Sequence, residues 1–208
     1  QNWQKGRETY LALKQLGSTY MQFIPIVERH AQTQSIADFS VPSEGYGQFL
    51  VDVFHEWYAH DVGKVYVSQF DNLLGQWLGY PSTTCVHQPT CGQSLVTEAN
   101  GDVYACDHFV YPEYKVGNLT QQPLTEIVLS SKQQQFGLEK SQKLTALCRR
   151  CEFRKLCYGG CPKHRFVSLE NESNPHNYLC ASYRYFFEQT APYMQAMARQ
   201  IRLHPSAA

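Results

Sequence analysis

Apolar residues recur at helical spacing where the chain begins: Tyr10, Leu13 and Leu16 within residues 3–16, with Gly17 as a stop. The run YMQFIPIV (20–27) reads as a buried strand, and QTQSIADFSVPSEGYG (32–47) as a loop. Residues 47–63 place Phe49, Leu50, Val53, Phe54, Trp57 and Tyr58 on one face and end at Gly63, which predicts a helix. KVYVSQF (64–70) reads as a second strand, and DNLLGQWLGY (71–80) as a short helix capped by Asp71. Helix followed by apolar strand is the unit of barrels and open parallel sheets.

Near residue 81 the long periods stop and short elements begin. SLVTEANGDVYAC (94–106) alternates about Asn100-Gly101, a strong hairpin signal. PLTEIVLSS (123–131) predicts a short helix with proline in its first turn. ASYRYFFEQTAPYMQAMARQIR (181–202) predicts a C-terminal helix kinked at Pro192. The expected division is therefore 1–80 and 81–208. The fold class is α+β: a βα remnant of a larger layered or barrel domain, then a small loop-rich domain with a hairpin and a closing helix.

Composition narrows the partners. The chain has 208 residues, 43% of them hydrophobic, enough for a buried core. Eighteen basic residues balance eighteen acidic ones, so neither nucleic acid nor an anionic membrane is expected as the main partner. No apolar run approaches the roughly 20 residues that span a bilayer. The polar start QNWQKGRETY lacks both a signal-peptide pattern and a Met. The expectation is a cytoplasmic protein, and a piece of something longer.

Cysteine is the informative count. All eight fall between residues 85 and 180: Cys85, Cys91, Cys106, Cys148, Cys151, Cys157, Cys161 and Cys180. The spacing is C-x5-C-x14-C, then C-x2-C-x5-C-x3-C, then x18-C. Disulfides, two four-thiolate zinc sites and two iron–sulfur cubanes compete for them. Cys-Pro at positions 161–162 favours the third: in two-cluster ferredoxins a tight cysteine run also ends in Cys-Pro, and its fourth cysteine serves the other cluster. By that analogy Cys161 joins Cys85, Cys91 and Cys106, and Cys180 joins Cys148, Cys151 and Cys157. Sequential filling, with 148–161 together and 85, 91, 106 and 180 together, stays open.

Cys91-x9-Gly101-x4-Cys106, then Cys148-x2-Cys151-x5-Cys157-x3-Cys161 and Cys180, resembles the SPASM domain of radical S-adenosylmethionine (SAM) enzymes. The extra Cys85, NGDVYACDHFVYPEYKVGNL (100–119), QFIPIVER (22–29) and residues 46–79 resemble one branch, the anaerobic sulfatase-maturating enzymes. The resemblance implies two auxiliary [4Fe–4S] clusters in the crossed partition, with zinc possible as a substitute metal. It implies a sulfatase polypeptide substrate whose Cys or Ser is oxidised to Cα-formylglycine. It also implies that Asp107, directly after Cys106, is the base that deprotonates the substrate residue. A turn-capping carboxylate is the plain alternative. The family's C-x3-C-x2-C is absent, so SAM and a third [4Fe–4S] cluster are expected in a part N-terminal to this chain, which alone should be inactive. Another SPASM-type peptide maturase, or a zinc-stapled or iron–sulfur peptide-binding module, are the competing functions.

The remaining polar candidates have plainer readings. His87 and His108 lie near cysteines, but eight thiols already suffice for two sites. Arg149, Arg150, Arg154, Lys155, Lys163 and Arg165, with His164, form a basic patch that would compensate an anionic cluster. Tyr183, Tyr185, Phe186 and Phe187 are expected to be helix packing. Glu28 and Arg29, at a barrel-like strand end, are expected to border a substrate or SAM cavity.

Overall fold

The computed structural model describes residues 2–204. In chain order it runs α1 (Gly6–Gln15), β1 (Tyr20–Met21), α2 (Gly45–His60), β2 (Tyr66–Val67), α3 (Ser68–Leu78), β3 (Val96–Thr97), β4 (Asp102–Tyr104), β5 (Lys115–Asn118), α4 (Leu124–Val128), α5 (Ser131–Gln142), α6 (Ala146–Arg150), α7 (Arg154–Cys157), β6 (Arg165–Val167), β7 (His176–Asn177) and α8 (Cys180–Leu203). Two compact units result. One holds residues up to Ser82 together with those from Tyr178 onward, and the other is Thr83–Asn177. The break beside residue 80 is where the texture of the sequence changes. The closing helix, expected with the second domain, belongs instead to the first unit.

In the first unit, β1 and β2 pair in parallel, Tyr20 opposite Tyr66 and Met21 opposite Val67, with α2 as the crossover. Both strands are much shorter than the apolar runs that predict them. The Gln69 side chain takes the place of a partner strand, since its amide accepts from the Phe23 N–H and donates to the Phe23 carbonyl. Pro25 then removes a backbone donor. Helix α3 begins at Ser68, so Asp71 lies within its first turn and is not its cap. Phe54, Trp57, Phe70 and Phe186 form the centre of the core, with ring centroids 5.2 Å apart for Trp57–Phe70 and 5.9 Å for Phe70–Phe186. Gly47 lets α2 meet α8 closely: its N–H donates to Ser182 Oγ at 2.8 Å, and a Cβ there would lie 2.4 Å from the Ser182 carbonyl oxygen. Helix α8 continues through Pro192 as one element.

In the second unit, Gly101 (φ 83°) turns the expected hairpin, and β5 adds a third antiparallel strand to it. Asn118 of β5 ties the turn down, donating to Asp102 Oδ1 at 2.7 Å and to the Asn100 carbonyl at 3.2 Å. Pro123 is the N-cap of α4 rather than part of its first turn. Helix α5 is unexpected from the sequence. Its buried positions are Gln133, Gly137 and Lys140, helical in spacing but not apolar.

Candidate metal centre

Four cysteines of the second unit share one cavity. Cys85 opens a 3-10 turn, Cys91 lies on the loop that follows, Cys106 leaves β4, and Cys161 precedes Pro162 in extended conformation. All four line a cavity of about 50 Å³ together with Asp107 and His108. That is room for several water-sized atoms, more than one ion needs. Cys148, Cys151 and Cys157 are not among its lining residues.

Helix α5 forms the floor. The Cys91 N–H donates to the Gly137 carbonyl at 3.1 Å. Gln133 Nε2 donates to the carbonyls of Gly92 (2.8 Å) and Ala105 (3.2 Å). Lys140 is 1% exposed, and its Nζ donates to the carbonyls of Cys85 and Val86. Each of the three buried α5 residues thus holds a segment that carries a thiol. No hydrophobic stripe announces them; the only sequence signal is a polar residue, a glycine and a lysine at positions 133, 137 and 140.

Burial and two buried cations set the electrostatics of the site. Burial pushes the Cys106 thiol up to about 12, helped by its hydrogen bond to Asp107, and burial pushes Cys161 up to about 11. Free of metal these thiols hold their protons at neutral pH, so metal binding must release them. Burial pulls the Lys140 ammonium below its ordinary range, while the charges of Cys91, Cys161 and Cys85 oppose that shift. Among the described residues neither Lys140 nor Arg165 forms an ion pair with a carboxylate. Buried cations without carboxylates beside four soft thiol donors fit a thiolate-ligated anionic centre.

Residues 85–152 match the family model of SPASM, an iron-sulfur cluster-binding domain. It is 41% identical over 206 residues to the serine-type anaerobic sulfatase-maturating enzyme of Bacteroides thetaiotaomicron, covering 92% of this chain and 50% of that enzyme. It is 30% identical over 195 residues to the cysteine-type enzyme of Clostridium perfringens, covering 93% of this chain and 52% of that enzyme. Native anSMEcpe with bound AdoMet and Kp18Cys peptide superposes with a TM-score of 0.80 at 29% identity, covering 96% of this chain and 55% of that one. The chain spans about half the length of the curated relatives it matches.

The SPASM match takes in Cys85, Cys91, Cys106, Asp107, Cys148 and Cys151, and Cys157, Cys161 and Cys180 follow it. Cys148 lies in α6, whose cap Thr145 accepts from the Cys148 N–H at 3.2 Å, and its Sγ is 3.7 Å from His176 Nδ1. Cys151 ends α6 and Cys157 ends α7. Cys180 opens α8 in the other unit. Among the described residues no three His, Cys, Asp or Glu side chains converge as a site for a single metal ion.

Asp107 is exposed at the cavity. Its Oδ1 accepts from the His108 N–H at 3.0 Å and from Cys106 Sγ at 3.1 Å. One carboxylate oxygen therefore caps the turn, which is the plain reading, without using Oδ2 there. Burial holds His87 and His164 down to about 4, so both are neutral at pH 7. His108 Nδ1 is 3.9 Å from Cys161 Sγ. Arg149, Arg150, Arg154 and Lys155 face solvent, whereas Arg165 turns inward onto backbone carbonyls. Glu28 and Arg29 are exposed. They are not among the residues lining the apolar cavity of about 500 Å³ that Phe23, Ile24, Ile26, Phe39, Tyr46 and Phe49 form in the first unit. Among the described residues no helix is long and apolar enough to cross a membrane.

Proposed function

We propose that this chain is the auxiliary-cluster part of a radical SAM enzyme that oxidises a Cys or Ser of a sulfatase to Cα-formylglycine. The observation that carries the reading is the meeting of Cys85, Cys91, Cys106 and Cys161 at one cavity, with Asp107 beside it and Lys140 beneath. The similarity to serine-type and cysteine-type sulfatase-maturating enzymes supports the reaction class, and the peptides bound in anSMEcpe support a polypeptide substrate. In this reading the four thiols hold one [4Fe–4S] cluster, and Cys148, Cys151, Cys157 and Cys180 hold a second. SAM and a third cluster belong to a part outside this chain.

A bound [4Fe–4S] cluster supplies a one-electron acceptor. The chain's own residues do the rest. Asp107 Oδ2 is the proton acceptor for a substrate hydroxyl or thiol brought to the cavity, while Oδ1 stays fixed on the His108 N–H and so orients the carboxylate. Gln133 and Lys140 hold the loops that carry Cys85, Cys91 and Cys106 and so fix how these thiols are spaced.

Anaerobic reconstitution followed by iron, sulfide and zinc analysis tests the cofactor. About eight iron and eight sulfide per chain is the expected result for two cubanes. Two zinc and no labile sulfide would instead make the chain a zinc-stapled peptide-binding module.

A further inference from the structure

Arg165 opens β6 opposite Asn177 of β7, and both side chains reach back to the segment between Cys157 and Cys161. Arg165 Nε donates to the Gly159 carbonyl at 3.1 Å, and its Nη2 donates to those of Tyr158 (2.9 Å) and Gly160 (3.5 Å). Asn177 Nδ2 donates to the carbonyls of Gly159 (3.0 Å) and Cys161 (3.1 Å). Four consecutive carbonyls, from Tyr158 to Cys161, therefore turn onto two side chains. They can do so because Tyr158, Gly159 and Gly160 are all left-handed, with φ of 48°, 73° and 62°. A Cβ on Gly159 would lie 2.5 Å from Leu144 Cδ2 and 2.7 Å from Arg165 Nη2.

The same guanidinium reaches helix α5. Its Nη1 donates to the Lys140 carbonyl at 2.7 Å, and Lys140 in turn holds the carbonyls of Cys85 and Val86. The Arg165 charge interacts with those of Cys148, Cys91, Cys157 and Cys161, thiols assigned to both sites.

We propose that Arg165 is a positioning residue shared by both cluster sites: it locks the left-handed turn that sends Cys157 and Cys161 to different clusters, and its charge holds both reduction potentials up together. This rests on the two-cluster, crossed reading above. The step concerned is one-electron reduction of each cluster by an added reductant such as dithionite. Arg165 gives and takes neither electron nor proton; it stabilises the more negative, reduced form.

The test uses the full chain, reconstituted anaerobically, as wild type, Arg165→Gln and Arg165→Lys, with reduction potentials read by electron paramagnetic resonance. In Arg165→Gln, iron content is expected to hold while both potentials fall by at least tenfold in the reduction equilibrium, about 59 mV for one electron. Arg165→Lys, which keeps the charge, is expected to shift by less than half as much. Two loaded clusters with only one potential moved, or neither, overturn the shared role of Arg165. So does an Arg165→Lys shift equal to that of Arg165→Gln. Should Arg165→Gln lose its iron, both clusters must go together and Arg165→Lys must regain both; loss at one site alone overturns the proposal. A wild-type chain that takes up one cluster overturns the two-cluster reading and the shared role with it.

Discussion

At the scale of single residues, Asp107 holds its own turn and one thiol through a single oxygen. Its Oδ1 is engaged by the turn through the His108 N–H and by the Cys106 thiol. An asparagine keeps an oxygen for the turn but has no proton acceptor of comparable basicity. In the radical SAM enzyme proposed above, Asp107→Asn is therefore expected to retain its iron and its SAM cleavage and to lose about 10²–10⁴-fold of formylglycine formation. Product measured by mass spectrometry at near wild-type yield would leave Asp107 as a turn cap and nothing more. The thiols themselves were the most legible residues in the sequence, because eight cysteines confined to one stretch leave few chemical uses. Lys140 was not legible. A lysine on a polar helix normally faces water, and only the fold shows that its Nζ is buried against the Cys85 and Val86 carbonyls.

Among elements, α5 carries the site and gave the weakest signal. SKQQQFGLEKSQ has no apolar stripe, so hydrophobic periodicity passes over it. What it buries instead are hydrogen-bonding groups and one glycine, each fitted to a cysteine-bearing loop. Helix α2 is the opposite case: Phe49, Leu50, Val53, Phe54 and Trp57 are buried on the face that the sequence marks out. The strands within 20–27 and 64–70 are shorter than their apolar runs, because such a run says nothing of how many residues find a partner strand, and Gln69 and the early start of α3 end the pairing here. The fit of α5 is tight enough to test. A Cβ on Gly137 would lie 2.7 Å from the Cys91 carbonyl oxygen, which is backbone and cannot swing aside. Gly137→Ala is expected to cost about 1–3 kcal/mol by overpacking, although alanine is the better helix former. Chemical denaturation checks this, and equal or greater stability in the variant would mean that α5 does not press on the Cys91 loop.

For the whole molecule, the division of the chain into two units distributes the thiols unequally. Seven cysteines lie in Thr83–Asn177, and Cys180 lies in the unit that begins again at Tyr178. Cys161, the last thiol of the tightest run in sequence, lines a cavity with three cysteines that lie at least 55 positions earlier in the chain. Spacing alone leaves the ligand partition open, because a left-handed turn of three residues, 158–160, can redirect a thiol without changing any count.

The most direct test of the wiring starts from the chain with Cys148, Cys151 and Cys157 all changed to Ala. Reconstituted anaerobically, it is expected to hold about four iron, at the site of Cys85, Cys91, Cys106 and Cys161. Adding Cys161→Ala should then remove most of that iron, and adding Cys180→Ala should leave it in place. Iron retained without Cys161 and lost without Cys180 would contradict the crossed wiring and return the four thiols of residues 148–161 to a single site.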